Sequence, residues 1–87
     1  KMKTSIELTL TPLQDDYEIY IKDFIKKLRK SNFKVNENSL STHIYGDYDE
    51  LTKFLIPLIK NNFKDQKNVV LQMKIFKGDR SNYSPSF

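Results

Sequence analysis

The chain has no cysteine, no tryptophan, one histidine and only two glycines in 87 residues. Without cysteine there is no disulfide framework, no thiolate metal centre and no cysteine nucleophile. One imidazole alone makes a poor metal site, because a zinc-type ion takes three or four ligands. No metal and no cofactor is therefore expected. Two glycines cannot supply a glycine-rich phosphate loop. No apolar run approaches the ~18 residues of a membrane span, and no secretion signal is visible, so a cytoplasmic location is expected. Asn82-Tyr83-Ser84 fits a glycosylation acceptor but reads as chance without such a signal.

What is present suits a small globular domain. Apolar residues make up 38% and charged residues 30%, too apolar a mixture for a disordered chain. A domain of this size buries only ~60–65% of the surface its unfolded chain exposes, so self-association would be a natural support. The net charge of +4 is mild. Its densest part, Lys22 to Lys34, reads as the solvated face of an amphipathic helix rather than a phosphate-binding patch.

Ser39–Gly46 alternates apolar and polar residues at period two and predicts a half-buried strand. Leu40, Thr42 and Ile44 should share one face, and Ser41, His43 and Tyr45 the other. Thr4–Thr11 repeats the pattern, with Ile6, Leu8 and Leu10 inward. Pro12 cannot donate to a ladder, so pairing should end near it. Asp15 with Glu18 resembles a capping box that starts a helix near Asp16, and Tyr17 through Leu28 carries apolar residues at helical spacing. Asn32 suits the left-handed position that ends many helices. A short strand at Phe33–Glu37 and a tight turn at Glu37-Asn38 lead into the central strand.

Asp47 and Glu50 make a second capping-box match, starting a helix near Tyr48. Pro57 lies about ten positions into it and should kink or break it, at a cost of ~3 kcal/mol, leaving 61–66 irregular. The last strand, Asn68–Lys77, should turn Val69, Leu71, Met73 and Ile75 inward and Val70, Gln72, Lys74 and Phe76 outward. Residues 1–80 then form one domain and 81–87 a tail. The order β-α-β-β-α-β with right-handed crossovers predicts a ferredoxin-like α+β sandwich. Its four-stranded antiparallel sheet has strand order 4-1-3-2, and both helices lie on one face. The other face is bare, with polar and aromatic groups that suit a small ligand or a partner sheet.

Ser41 and His43 fall on that bare face, but alternate strand positions lie ~6.5–7 Å apart, which predicts no direct nucleophile–base bond. No enzymatic activity is expected. Glu7 is more telling. A carboxylate mid-strand is disfavoured and costly if covered without a partner, so either Lys74, solvent or a ligand must meet it.

Ser5-Ile6-Glu7-Leu8 followed by Pro12-Leu13 resembles the first strand of the YkoF-like proteins that bind thiamine or hydroxymethylpyrimidine. Leu40-Ser41-Thr42 with Ile44 and Gly46 is similar to their third strand, and Val69–Lys77 with Asp79-Arg80 to the last strand of single-domain members. The similarity spans roughly residues 4–80. Asn32, Gln14 and Pro57 depart from the family pattern. The resemblance implies a non-enzymatic binder of thiamine or its pyrimidine precursor, serving uptake or salvage. It also implies a homodimer or homotetramer, since longer members carry two such domains. The residues chemically able to meet an aminopyrimidine edge are Glu7, Thr9, Ser41, Thr42, His43 and Gln72, with Tyr45 or Phe76 to stack on its ring. On the open face Glu7, His43 and Tyr45 would lead; between sheet and helices Thr42 would lead. The larger number of polar side chains favours the open face. Two rival readings are a structural homo-oligomeric module and a single-stranded nucleic-acid binder. The second is disfavoured by Glu7 mid-sheet and by basic residues on the helix instead of the sheet.

Overall fold

The computed structural model describes residues Lys1–Phe87. The elements are β1 (Lys3–Pro12), α1 (Tyr17–Arg29), β2 (Lys34–Glu37), β3 (Thr42–Asp47), α2 (Tyr48–Lys64) and β4 (Val69–Lys77). The strands form one antiparallel sheet in the order β2-β3-β1-β4, the ferredoxin-like arrangement. β1 and β3 are central because each pairs on both sides. Register on β1 sets Glu7 between His43 and Lys74, and Thr9 beside Gln72. Pairing ends at Pro12, opposite Val69.

Period two on the strands and period 3.6 on the helices converge on a single core. Ile6 and Leu8 of β1, Ile44 of β3, Phe24 and Leu28 of α1, and Leu51 and Leu55 of α2 are buried together. The helices therefore share one side of the sheet, α1 over β1 and α2 over β3. No helix is long and apolar enough to cross a membrane.

Several local expectations are corrected. α2 runs unbroken through Pro57 to Lys64, so 61–64 is helical. Pro57 and Lys53 are both exposed, so water can take the carbonyl that proline leaves unpaired, and packing at Leu51 and Leu55 carries the helix past it. The Asp15–Glu18 capping box does not form. Asp16 is the N-cap of α1 without a side-chain cap, its carboxylate instead accepting from Gln14 Nε2 at 3.0 Å. By contrast, the Asp47 carboxylate accepts from the Glu50 N–H at 3.2 Å. Asn32 is not left-handed, since no residue but glycine has positive φ. Ser31 closes α1 instead, its hydroxyl donating to the Leu28 carbonyl at 2.6 Å.

Leu40 does not point inward. Residues 38–41 form a turn in which the Asn38 carboxamide oxygen accepts from the Leu40 and Ser41 N–H groups, and Leu40 is 83% exposed. An Asx-type turn outcompeted the strand pattern there. Met73 and Ile75 lie on the helix side as expected yet remain 39% and 47% exposed, because the helices stand mainly over β1 and β3 and only Leu71 of β4 packs against the core.

Past β4 the chain folds back. Gly78 has φ +129°, which a side chain would strain. The Ser5 hydroxyl donates to the Gly78 carbonyl at 2.7 Å and accepts from the Arg80 N–H at 2.9 Å. Lys34 Nζ donates to Asn82 Oδ1 at 3.4 Å. Residues 79–82 thus run from β4 past β1 toward β2.

Candidate functional site

The seven sequence-derived candidates divide between two neighbouring places. Glu7, Ser41, His43 and Tyr45 meet on the open face. Thr9, Ser41 and Thr42 line a groove at the end of the sheet beneath α1, and Gln72 stands opposite Thr9 on β4.

On the open face, register alone sets Glu7 of β1 opposite His43 of β3. The Ser41 hydroxyl donates to Glu7 Oε2 at 3.1 Å, and His43 Nε2 lies 3.2 Å from the same oxygen. Lys74 Nζ is 3.7 Å from the other carboxylate oxygen, Oε1. The Ser41 hydrogen bond, then that of His43, holds the Glu7 carboxyl below its usual value against partial desolvation. Tyr45 OH lies 3.4 Å from His43 Nδ1. A neutral imidazole protonated on Nε2, donating to Glu7 and accepting from Tyr45, satisfies all these contacts.

The separation expected between Ser41 and His43 is overturned: Ser41 Oγ lies 3.1 Å from His43 Nε2. Backbone spacing does not bound side-chain tips, and Ser41 sits in the turn before β3, from which its hydroxyl leans back. The geometry is still not that of an activated nucleophile. In a triad the acid orients the imidazole through the nitrogen remote from the serine. Here Glu7 and Ser41 crowd the same nitrogen and the serine hydroxyl donates to the carboxylate directly. The arrangement can hold side chains in place and present a fixed negative charge.

Phe76, expected as a stacking surface, is already occupied. The Arg80 guanidinium sits 4.5 Å from its ring centroid, brought there by the fold-back of the tail.

The groove has a different character. It encloses about 280 Å³ between Leu8 and Leu10 of β1, Phe24 and Ile25 of α1, and the turn 38–41. Its apolar wall exists because the apolar stripe of α1 is wider than β1 can cover. Its polar end is Thr42, where Ser41 and Asn38 also stand. Thr42 is 8% exposed, and its hydroxyl makes no hydrogen bond within the chain. It is not among the sealed, unpartnered atoms either, so it keeps access to the groove. The alternation of β3 marks Thr42 as inward-facing. The contributions of Phe24, Ile25 and Asn38 were missed, because a helix stripe signals core and not how much of it stays uncovered. No cluster of three or more His, Asp or Glu side chains is placed to hold a metal ion.

Comparison with known proteins places the fold. No protein-family model and no sequence among the curated proteins matches this chain. Solved structures do. A Streptococcus pneumoniae protein superposes with a TM-score of 0.82 at 25% identity, covering 93% of this chain and 92% of the other. A hypothetical protein from Methanocaldococcus jannascii superposes at 0.74 with 26% identity, over 94% and 87% of the two chains. A candidate thiamine biosynthesis/salvage protein from Thermotoga maritima superposes at 0.77 with 19% identity, covering 94% and 89%. This chain therefore shares, over nearly its whole length, the fold of these proteins.

Proposed function

We propose that the chain is a non-enzymatic binder of thiamine or its hydroxymethylpyrimidine precursor, serving uptake or salvage. The observation that carries this reading is Thr42, a largely buried residue whose hydroxyl has no protein partner and keeps solvent access at the polar end of an apolar groove. A hydroxyl open to the groove and unused by the protein is free to meet the donors and acceptors of a ligand edge. The sequence resemblance of β1 and β3 and the thiamine-related structural neighbour support the choice of ligand class.

The groove lies just under the ~300 Å³ at which small-molecule sites usually begin, which suits one heteroaromatic ring better than two. The pyrimidine ring packs between Leu8, Phe24 and Ile25, with Thr42, Ser41 and Asn38 along its edge. Asn38 uses its carboxamide oxygen on the turn, leaving its NH₂ free to donate. Glu7 acts through Ser41, whose hydroxyl it fixes, as a positioning residue. The open face is the weaker place for a ligand, because its polar groups satisfy one another and Phe76 is covered by Arg80.

Calorimetry on the full chain with thiamine, the free pyrimidine and an oligoribonucleotide tests this. Heat is expected with the first two only. Thr42→Val should weaken binding roughly two- to tenfold, the loss of one hydrogen bond, while His43→Ala should leave it nearly unchanged. No heat with any thiamine-related compound would refute the function. Loss in His43→Ala with none in Thr42→Val would move the site to the open face.

A further inference from the structure

We propose that the outer side of α2 is a docking site for an amphipathic helix of a partner protein, one that carries an apolar side chain flanked by carboxylates.

The site is separate from the groove beneath α1, with which it shares no residue. Leu51 and Leu55 turn the inner stripe of α2 to the core. Further around the helix, Ile56, Ile59, Lys60 and Phe63 stand at i, i+3, i+4 and i+7 and, with Lys64, wall a hollow of about 500 Å³. Four residues at that spacing form the hole into which a facing helix inserts one side chain in knobs-into-holes packing. Ile59 borders the core and anchors the inner wall, whereas Ile56 is 56% exposed.

Charge selects what enters. Residues 17–30 and 48–67 hold nine basic and five acidic residues, while the rest of the chain holds six of each, so the whole net charge of +4 lies in the helical layer. On α1 much of it is paired within the chain, Lys22 with Glu18, Lys27 with Asp23 and Arg29 with Glu37. On α2, Lys53, Lys60 and Lys64 have no acidic partner. Spaced i, i+7 and i+11, they make a row ~16 Å long beside the hollow. An apolar hole flanked by unpaired ammonium groups is the complement of an apolar knob flanked by carboxylates, and flanking charges of this kind set partner choice in helix pairs.

The α2 of a second copy is not that partner, because it has no acidic residue from Leu51 to Lys64. An anionic lipid surface takes up apolar side chains that project from a helix, and these wall a concavity instead.

Fluorescence anisotropy on the full chain tests the proposal, with labelled helical peptides whose leucine knobs are flanked by glutamate or, in a second set, by lysine. Sedimentation with phosphatidylcholine–phosphatidylglycerol vesicles is the parallel arm. The glutamate-flanked peptide should bind saturably, at least ~tenfold more tightly than the lysine-flanked one, and more weakly as salt rises. Lys60→Glu with Lys64→Glu should reverse that preference. Ile56→Gln should weaken binding by ~fivefold or more through lost apolar burial. Its circular dichroism should be unchanged, since Ile56 is already exposed. Binding to neither peptide, equal affinity for both, a preference that survives the charge reversal, an affinity untouched by Ile56→Gln, or binding to the vesicles in place of the peptide would each overturn the proposal.

Discussion

The two edges of this sheet are built differently. β2 has four residues, β4 has nine. On β2 the Glu37 carboxylate is gripped by Arg29 of α1 through two hydrogen bonds, of 2.6 and 2.7 Å, and Lys34 is tied to Asn82 of the tail. Phe33, just before β2, packs its ring against Phe54 of α2 at 5.6 Å between centroids. A helix, a charged clamp and the tail thus all attend the shorter edge. On β4 the tail contributes a single contact, Arg80 over the Phe76 ring. The contrast teaches that edge protection is distributed by topology: both helices stand over the β1–β3 side, and the strand left outside that cover carries apolar residues on both faces.

The largest expected effect compares two isoleucines on the same side of the sheet. Ile44 of β3 is fully buried and Ile75 of β4 is about half exposed. Ile44→Ala should cost ~2–5 kcal/mol in urea unfolding at any protein concentration. Ile75→Ala should cost less than ~1.5 kcal/mol at high dilution, because much of its surface is already wet. Equal costs would erase the distinction between the covered strand and the bare one.

Next comes Gly46, at the protected end. A Cβ there would stand 2.7 Å from the Phe33 ring and 3.4 Å from Leu51. Gly46→Ala should destabilise by ~1–3 kcal/mol through overpacking, read as a lower melting temperature. An unchanged melting temperature would mean that Phe33 moves aside and that β2 is less tightly held than its contacts indicate.

The smallest effect sharpens the comparison at the clamp itself. Arg29 holds the Glu37 carboxyl below its ordinary value, first through the hydrogen bonds and then through its charge. A depressed carboxyl contributes stability that is present above its unfolded value of 4.5 and is lost as pH falls through the folded one. Glu37→Gln should therefore cost under ~1 kcal/mol near neutral pH and progressively less in acid, since the pair is solvent-exposed. An undiminished cost in acid would show that Glu37 acts through packing rather than charge.

The sequence by itself determined the element order, the central positions of β1 and β3, and the face of nearly every strand residue. Alternation, helical periodicity and the Asp47 cap are local rules, and local rules are written in neighbouring residues. It also singled out Glu7, Thr42 and His43, because each sits oddly or alone in its pattern. Only the tertiary structure decided how those residues combine. The Ser41–His43 contact depends on a turn at 38–41 that withdrew Leu40 from the strand. The unbroken α2 depends on packing at Leu51 and Leu55 outweighing one missing hydrogen bond at Pro57. Arg80 over Phe76 depends on where the tail turns. The free hydroxyl of Thr42 and the bare flank of β4 share one cause, which is how far each helix reaches across the sheet. That reach is set by the packing of two helices on one core, and no stretch of sequence encodes it locally.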